Sequence, residues 1–526
     1  MKKIEVLDTT LRDGVQSEGI TYSLEDKCAL LKIFDSLDFT YIEGGNPSAN
    51  PKDKEFFLKA RFMDLQNTKL VAFGATRYKS TLIGDDLSVK ALLLADTQYV
   101  SIVGKCWQTH LIKILDVTPE INLTMISDTI KYLTTRGKTV LFDAEHFFDG
   151  FKENRDYALK ALDTAFEAGA NTLVLCDTNG ATLPDDIYNI TSEVVSAFPN
   201  VKIGIHCHND LGLAVACTMR AVEAGASHIQ GTFIGFGERC GNTNLSTVIP
   251  NLQLKCNYNI VPDSALREFT SVAKNVAELS NIHLSKSCPY VGVSAFSHKA
   301  GMHADGVLKY SPAFEHIPPE LVGNERHFLL SEVAGRAVFI KKIKLLFPEI
   351  EIDGDSAVGL LEAFKTLEMQ GYQFEGADAS LYIFIQKNLK KYTPFFELIN
   401  FNVTSSLPSL KELSAVATIQ IKVDGRVAKA SASGNGPVNA LDCALRKAMS
   451  EFYPYIKNIH LSDYKVRVIN SEAATGAMVR VLITSTDNRE SWTTVGVSTD
   501  IIEASWKALC DAVEYQLAKG GSKCQK

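Results

Sequence analysis

The sequence predicts an α/β fold: a (β/α)8 barrel (TIM barrel), then a helical linker region, then a smaller C-terminal α/β regulatory-type domain. Eight short apolar runs occupy the first half at intervals of roughly 30 residues, which is the length of one βα unit. Amphipathic helical segments lie between these runs, and several end at a glycine, as at Gly169 and Gly225. Since no glycine-rich dinucleotide-binding turn follows the first run, a closed barrel is favoured over a doubly wound open sheet.

The predicted barrel strands are short β-branched and aromatic runs. They are Ile4–Leu7, Tyr41–Glu43, Leu70–Phe73, Tyr99–Val103, Thr139–Phe142, Thr172–Leu175, Val201–Ile205 and Ile229–Phe233. The predicted helices between them include Glu25–Leu37, Asn154–Ala168, Asp185–Ala197 and Leu213–Ala224. Because a barrel of this kind needs about 250 residues, we expect it to occupy residues 1–262.

The rest of the chain divides into two further regions. Residues 263–392 have mainly helical periodicity, as in Ser331–Phe347 and Ser356–Gln370, and we expect a helical linker or lid region there. Residues 393–526 alternate between strands and helices. The expected strands are Ala415–Val423, Lys465–Ile469, Met478–Thr484 and Ser491–Val497, and the expected helices are Val438–Phe452 and Ile501–Leu517. The two halves of this region are loosely similar, which predicts a strand-strand-helix unit that occurs twice.

The composition excludes several classes of protein. The chain has 526 residues, of which 46% are hydrophobic and 22% charged, and its formal net charge is -7. These values are typical of a globular protein and exclude a disordered chain, and without a basic run they disfavour a nucleic-acid partner. The 11 cysteines include no C-x-x-C pair, which argues against a disulfide framework and a thiolate zinc site. With no secretory signal pattern and no apolar stretch of ~18 residues, we expect a cytoplasmic protein without a membrane partner.

The chemistry of a (β/α)8 barrel lies at the carboxyl ends of its strands, so the residues that end each predicted strand are the candidates for a functional site. Polar and charged residues end at least five of the eight. They are Asp8, Arg12 and Asp13, then Glu43, then Asp143, Glu145 and His146, then Asp177 and Thr178, then His206 and His208, and finally Glu238, Arg239 and Asn242. A functional site is therefore predicted at this end of the barrel.

His206 and His208 are the most informative pair. They are two residues apart on a strand, so their side chains point to one face while that of Cys207 points to the other. Two imidazoles and a carboxylate from another strand, for which Asp13 is the best candidate, are suitable ligands for a divalent metal. Oxygen and nitrogen ligands without a thiolate are compatible with Mn²⁺, Mg²⁺ or Zn²⁺. The alternative is that one histidine is hydrogen-bonded and the other exposed.

Three further side chains are candidates for catalysis or substrate binding. Arg12, beside a metal, would stabilise an oxygen that gains negative charge, or it forms a structural salt bridge. Glu145 is a candidate general base or hydrogen-bond anchor, against the alternative of a solvated carboxylate. Thr178 is a candidate donor to a ligand carboxylate, or it caps a helix.

A glycine-punctuated segment, SHKAGMHADGVLKY, follows the barrel and contains His298, His303, Asp305 and Tyr310. We expect a loop that acts as a lid and carries acid–base groups over the metal. The alternative is that these are ordinary surface histidines in a loop.

The motifs LDTTLRDGVQ, HCHND, GERCGN and SHKAGMHADG together resemble the 2-isopropylmalate synthase, homocitrate synthase and citramalate synthase family. This is a family of metal-dependent (β/α)8 barrels that condense an acyl-CoA with a 2-oxo acid. The resemblance implies that Asp13, His206 and His208 bind the metal, with Asn242 at or near it. It also implies that Arg12 polarises the keto oxygen, that Gln16 and Thr178 hold the substrate, and that Glu145, His303 and Tyr310 are the acid–base groups.

The segments YIEGGNPSANPKD and FDAEHFFDGF are most similar to the citramalate synthases. That class condenses pyruvate with acetyl-CoA to give (R)-citramalate and CoA in isoleucine biosynthesis. The main alternative is a 2-isopropylmalate synthase, which uses 2-oxoisovalerate in leucine biosynthesis. A lyase or carboxyltransferase is disfavoured by the regulatory-looking C-terminal module. A catalytically decayed amino-acid sensor is disfavoured because Arg12, Asp13, Glu145 and both histidines are present.

By the same resemblance, the C-terminal module is an amino-acid-sensing regulatory (LeuA-type dimerisation) domain and the protein is a homodimer. The segments Gly434–Ala440 and Ser498–Ile502 each lie where a strand enters a helix, and helix N-termini present N–H groups that suit a carboxylate. The resemblance implies that the effector is a branched-chain amino acid, and we expect isoleucine. The expected effector-binding residues are Gly434, Gly436, Val438 and Ala477. The alternative is a module that only dimerises the protein.

Overall fold

The computed structural model describes residues 2–299, 301–328, 339–340, 343–344, 347–348, 352, 354–389, 392–410, 413–469, 476–487 and 490–520. The chain divides into two units. The first consists of Met1–Phe296 with Ile317–Arg326, and the second of Ser297–His316 with His327–Lys526. The first unit contains the strands that carry the candidate site, and the second contains the C-terminal repeats.

Eight parallel strands form a closed barrel in the first unit, as the sequence predicts. They are β1 (Glu5–Asp8), β2 (Tyr41–Glu43), β3 (Lys69–Ala75), β4 (Tyr99–Lys105), β5 (Thr139–Glu145), β6 (Thr172–Asp177), β7 (Lys202–Cys207) and β8 (His228–Gly231). Each strand pairs with the next along the chain. The barrel closes where β8 pairs with β1, from Glu5 opposite His228 to Asp8 opposite Gly231. All eight predicted strands are confirmed, although several extend further than predicted.

Helices follow the strands and cover the barrel. The longer ones are Leu24–Ser36, Pro51–Ala60, Leu87–Ala95, Pro119–Thr134, Arg155–Glu167, Pro184–Ala197, Ala214–Glu223 and Phe269–Leu279, and the shorter ones are Gln108–His110, Phe147–Glu153, Leu245–Pro250 and Asp263–Leu266. Side chains fix the first turns: Ser23 forms a capping box with Asp26, and Asn154 accepts from the Tyr157 N–H. Because a parallel barrel strand is covered on both faces, β6 is buried along its whole length.

An aromatic cluster packs beside the junction of β8 and β1. The rings of Phe34, Phe39, Phe233 and Phe269 are all fully buried. Their centroids lie 5.3 Å apart in the closest pair and 6.5 Å apart in the most distant contacting pair. Aromatic pairs at these separations stabilise a core beyond their burial alone. The cluster thus packs Phe233, which follows β8, against the helix Leu24–Ser36 that lies between β1 and β2.

The predicted lid loop is wrong in its secondary structure. In the second unit, β9 (Ser297–His298) pairs in parallel with β10 (His327–Phe328), and a helix, Gly301–Tyr310, follows β9. Glycines in this segment indicated a loop, but Gly306 lies inside the helix. The Phe314 ring packs where a Cβ at this position would be, so a larger residue would clash. The glycine therefore serves packing rather than a turn.

Two linker helices, Gly354–Met369 and Asp378–Asn388, precede the C-terminal repeats. The first confirms the helix predicted over Ser356–Gln370, whereas the predicted helix Ser331–Phe347 lies largely outside the described residues. Phe364 and Phe384 of these helices share an apolar core with Val495 and Val497. The described helices include none with the length and apolar character that crossing a membrane requires.

The C-terminal pseudo-repeat is confirmed, but each unit has three strands rather than two. β11 (Glu397–Leu410), β12 (Leu413–Val423) and β13 (Arg426–Gly434) form an antiparallel sheet that the helix Pro437–Met449 follows. β14 (His460–Val468), β15 (Val479–Thr486) and β16 (Ser491–Ser498) repeat this arrangement before the helix Ile501–Gly520. β13 was missed because its buried positions hold small residues such as Ala428 and Ala430, which give a weak alternation signal.

Candidate active site

A cavity of about 510 Å³ lies at the carboxyl ends of the barrel strands. Most of the predicted catalytic and binding residues of the barrel line it, namely Arg12, Asp13, Gln16, Glu145, Thr178, His206 and His208. They belong to β5, to β7 and to the turns after β1, β6 and β7. The closed barrel thus brings together residues that are distant in sequence, as expected from the strand ends.

Asp13, His206 and His208 converge on one point. The Nε2 atoms of His206 and His208 lie 3.6 Å and 3.9 Å from the same Asp13 oxygen, Oδ2. One ligand atom from each residue lies within 4.8 Å of the others, and within the described residues this is the one group of three His, Cys, Asp or Glu with metal-binding geometry. The arrangement of two imidazoles and a carboxylate fits a divalent cation.

The protonation of this group suits metal binding. Burial lowers the pKa of His206 to about 3, and burial also lowers that of His208. Burial alone would raise the pKa of Asp13, but opposing causes, of which the charge of Arg12 is the largest, outweigh it and lower that pKa. Both imidazoles are therefore neutral and the carboxylate is ionised at neutral pH, which are the forms that ligate a metal.

Asn242 is buried beside this group. A backbone bridge pairs it with His208. Neither its Oδ1 nor the Asp13 Oδ1 has a hydrogen-bond partner among the described residues. A Cβ at Gly237 would lie 2.5 Å from Asn242 Oδ1 and 3.1 Å from Asp13 Oδ1, so the glycine leaves both oxygens room. Buried oxygens without partners are expected where a bound cation would satisfy them.

A chain of hydrogen bonds orients His206. Its Nδ1 lies 3.0 Å from Oε1 of Gln230, whose Nε2 donates to Asp143 at 3.0 Å, and Ser101 donates to the other Asp143 oxygen at 2.5 Å. Because the Gln230 oxygen can only accept, Nδ1 of His206 carries the proton and Nε2 presents a lone pair toward Asp13. Asp143 is thus a supporting residue, and Gln230 is a supporting residue that sequence reasoning missed.

Arg12 is held between two carboxylates. Its Nε donates to Glu43 at 2.6 Å and its Nη1 donates to Asp13 at 3.0 Å, while the Phe73 ring centroid lies 4.1 Å from its guanidinium carbon. Burial opposes the charge, but Glu43 and Asp13 outweigh it and raise the pKa of Arg12. Burial raises the pKa of Glu43 to about 7, although Arg12 lowers it. Arg12 is therefore a fixed cation beside the metal-ligand group.

Glu145 and Thr178 lie on the wall of the same cavity. Glu145 forms an ion pair with Lys105 of the neighbouring strand. The Thr178 hydroxyl oxygen accepts a hydrogen bond from the backbone N–H of His146 at 2.9 Å. The hydroxyl proton is therefore left for another acceptor. Two other strand-end residues have structural roles: Asp177 accepts from Thr182, and Arg239 donates to Asp210.

His303 and Tyr310 belong to the second unit, on the helix Gly301–Tyr310. Both side chains are exposed in the described chain, Tyr310 to 67%. Their acid–base roles stay predictions.

Three of the predicted effector residues lie at the first strand-to-helix junction, whereas Ala477 lies just before β15 in the second repeat, and their effector-binding role stays a prediction. Gly434 ends β13, and Gly436 precedes the helix Pro437–Met449, which no described side chain caps. Val438 is half-buried and Ala477 is buried. The equivalent junction of the second repeat differs, because Asp500 accepts from the Ile502 N–H at 2.7 Å and so caps its own helix.

Family models match most of the chain. The HMGL-like model matches residues 3–276, the homocitrate synthase post-HMGL domain model matches residues 290–371, and the LeuA allosteric (dimerisation) domain model matches residues 375–517. The barrel thus matches an HMGL-like domain, and the C-terminal repeats match a LeuA-type allosteric (dimerisation) domain.

Full-length relatives identify the branch. The (R)-citramalate synthase of Aquifex aeolicus is 47% identical over 524 residues, 98% of this chain and 98% of that protein. The (R)-citramalate synthase of Geobacter sulfurreducens is 42% identical over 521 residues, 99% of this chain and 98% of that protein. The probable 2-isopropylmalate synthase of Methanopyrus kandleri is more distant, at 30% over 512 residues, 97% of this chain and 98% of that protein. The chain therefore belongs to the citramalate synthase branch of the 2-isopropylmalate synthase and homocitrate synthase family, whose members are acyltransferases.

Proposed function

We propose that this chain condenses acetyl-CoA with pyruvate to give (R)-citramalate and CoA. The observation that carries the proposal is the meeting of Arg12 with Asp13, His206 and His208 in one cavity. A fixed cation beside a metal-ligand group is suited to a reaction in which an oxygen atom gains negative charge.

The metal would be held by Asp13, His206 and His208, with Asn242 as the further ligand. A divalent cation there, Mn²⁺, Mg²⁺ or Zn²⁺, would supply Lewis-acid polarisation of the pyruvate keto group.

The protein side chains bind and polarise pyruvate. The Thr178 hydroxyl, which accepts from the His146 N–H, donates its own proton to the pyruvate carboxylate. Gln16 lies on the 3-10 turn after β1 and lines the same cavity, so its amide is in place for a further contact with the substrate. Of the five guanidinium N–H groups of Arg12, one on Nε and one on Nη1 hold carboxylates. One of the remaining N–H groups donates to the keto oxygen as it becomes an alkoxide.

Condensation requires a base that removes a methyl proton from acetyl-CoA. Glu145, His303 and Tyr310 are the proposed acid–base groups, with Glu145 supplied by the cavity wall. The resulting carbanion attacks the keto carbon of pyruvate and forms the new carbon–carbon bond. Hydrolysis of the thioester then releases CoA and makes the sequence effectively irreversible.

The regulatory part of the proposal concerns residues 393–526, which follow a barrel over 1–262 and a linker over 263–392. We propose that this domain binds isoleucine at Gly434, Gly436, Val438 and Ala477, and that the protein works as a homodimer. The helix after Gly436 has no side-chain cap, which supports the first strand-to-helix junction, rather than the second, as the effector site. We place the protein in the cytoplasm, in keeping with the free thiols of all described cysteines.

The experiment that tests the reaction is thiol release from acetyl-CoA with a panel of 2-oxo acids. We expect pyruvate to give the highest kcat/KM, and 2-oxoisovalerate to be at least tenfold poorer, since discrimination of ~1–3 kcal/mol per methylene is typical. A preference for 2-oxoisovalerate would assign the chain to 2-isopropylmalate synthesis instead. Failure of every 2-oxo acid to release thiol would contradict the proposal.

A further inference from the structure

His146 is a buried cavity-wall residue that the proposed condensation does not use as a proton carrier. It follows Glu145 at the end of β5 and adopts left-handed backbone angles, φ 54° and ψ 36°. Residues other than glycine rarely adopt this backbone conformation, and where they do, the site is often functional. Here it turns the chain so that His146 lines the cavity that contains Asp13, His206 and His208.

A carboxylate orients the His146 ring. Nδ1 of His146 lies 3.5 Å from Oδ2 of Asp149, and Asn179 donates to that same oxygen at 2.9 Å. A carboxylate oxygen without a proton only accepts, so in a hydrogen bond with Asp149 the Nδ1 atom is the donor and Nε2 carries the lone pair. A histidine held in this way by a carboxylate is the arrangement that hydrolytic enzymes use for a general base.

Two neighbouring rings restrain the imidazole further. The His110 ring centroid lies 4.2 Å from that of His146, and the Trp107 ring stacks on His110 at 4.8 Å. Trp107 is itself tied down because its Nε1 donates to Glu153. His110 also lines the cavity, and burial lowers its pKa, with His146 as a further cause, so it adds a neutral neighbour rather than a competing cation.

We infer that His146, oriented by Asp149, is the general base that activates water for hydrolysis of the condensed thioester. This inference rests on the proposed condensation, and it adds a catalytic residue for the hydrolysis step that follows carbon–carbon bond formation. Glu145 serves the condensation in this account, and the contact of Nδ1 of His146 with Asp149 makes Nε2 the nitrogen that can accept a proton from water.

The step balances without a further reactant. Nε2 of His146 takes a proton from water as the water oxygen bonds to the thioester carbonyl carbon. The tetrahedral intermediate then collapses, the carbon–sulfur bond breaks, and the CoA thiolate leaves. The His146 imidazolium returns its proton to that thiolate. The products are the hydroxy acid and CoA.

The test separates condensation from hydrolysis in the full-length enzyme. His146→Asn is the main variant, because asparagine tolerates left-handed backbone angles but cannot act as a base at neutral pH. Single turnovers with acetyl-CoA and pyruvate are quenched, and condensed thioester, free hydroxy acid and free CoA are quantified by mass spectrometry. We expect His146→Asn to accumulate the condensed thioester and to release CoA about 100-fold more slowly or worse.

Two further variants complete the test. Asp149→Asn retains the imidazole but loses its orientation, so we expect a smaller slowing of hydrolysis with an unchanged KM for pyruvate. His283→Gln, at an exposed position, is the matched control and should behave as wild type. If His146→Asn does not fold, Asp149→Asn decides the matter by hydrolysis of added condensed thioester.

Each outcome has one meaning. Wild-type rates of hydrolysis in His146→Asn, or equal losses of condensation and hydrolysis, would overturn the role of His146 while leaving the proposed condensation intact. Normal hydrolysis in Asp149→Asn would overturn the role of Asp149. Absence of pyruvate-dependent thiol release in the wild type would instead overturn the proposed function.

Discussion

The metal-ligand end of the barrel and the first junction of the C-terminal repeats both hold polar groups without partners, but of different kinds. In the barrel they are side-chain oxygens of Asp13 and Asn242, buried beside one cavity. At Gly436 they are backbone N–H groups, which every uncapped helix has. The difference shows that the site at the carboxyl ends of the barrel strands depends on specific side chains. Single substitutions of these side chains should therefore stop turnover. In the proposed regulation, the repeats act on the barrel through a coupling free energy, so substitutions there should change inhibition.

The largest expected effect is that of Arg12→Lys. The Arg12 guanidinium donates to Glu43 and Asp13 and keeps further N–H groups for the substrate. A lysine ammonium cannot reproduce this planar set of donors. We expect kcat/KM to fall by about 10³-fold, or about 4 kcal/mol, measured by thiol release with pyruvate. Arg136→Lys, at an arginine in the loop before β5, is the matched control. Near-normal rates in Arg12→Lys would refute the assigned role.

The next effect separates structural from catalytic carboxylates in the barrel. Asp8 accepts hydrogen bonds from Thr10, and burial raises its pKa to about 7 from 3.8. A raised folded-state pKa favours the protonated form, so this contribution to stability is complete below pH 4 and is lost as pH rises through about 7. Integrated over pH 4 to 7, the loss is about 3 kcal/mol.

Asp8→Asn should remove this dependence. Urea midpoints measured from pH 4 to pH 7 should fall less steeply with pH in Asp8→Asn than in the wild type. Asp156→Asn, whose carboxylate is 90% exposed, is the control and should keep the wild-type slope. An unchanged slope in Asp8→Asn would contradict the buried, protonated state of Asp8.

The smallest expected effect lies in the C-terminal repeats. Val438→Glu places a charge beside the first junction, so we expect the isoleucine concentration for half-inhibition to rise at least tenfold. Such a change corresponds to a coupling in the usual range of ~1–3 kcal/mol. Ile501→Glu, at an exposed position at the start of the second repeat's helix, is the control and should keep wild-type inhibition. A full-length enzyme that ignores isoleucine, leucine and valine would contradict the sensor proposal.

Much of the barrel could be predicted because its signals are local. The apolar runs and glycine stops located every strand, and the two-residue spacing of His206 and His208 placed both rings on one face. Asp13 could be added because β1 and β7 end at the same edge. These predictions needed only periodicity and the rule that parallel strands end together.

The parts that were missed depend on contacts between distant segments. The contact of His146 with His110 and Trp107 requires the left-handed turn at His146 and joins segments that follow different strands. The support of His206 by Gln230 likewise joins two strands through side chains alone. Neither arrangement has a sequence period, so no local pattern indicates it.

The most direct test of the central assignment, that Asp13, His206 and His208 form the metal site, is Mn²⁺ binding to the full-length protein, measured by electron paramagnetic resonance without substrates. The wild type should bind about one Mn²⁺ per chain at this site, and His206→Ala and His208→Ala should each bind it at least 10-fold more weakly, since loss of even a supporting partner typically costs about 10–100-fold. His283→Gln should bind as the wild type does. Wild-type Mn²⁺ affinity in both alanine variants would contradict the assignment.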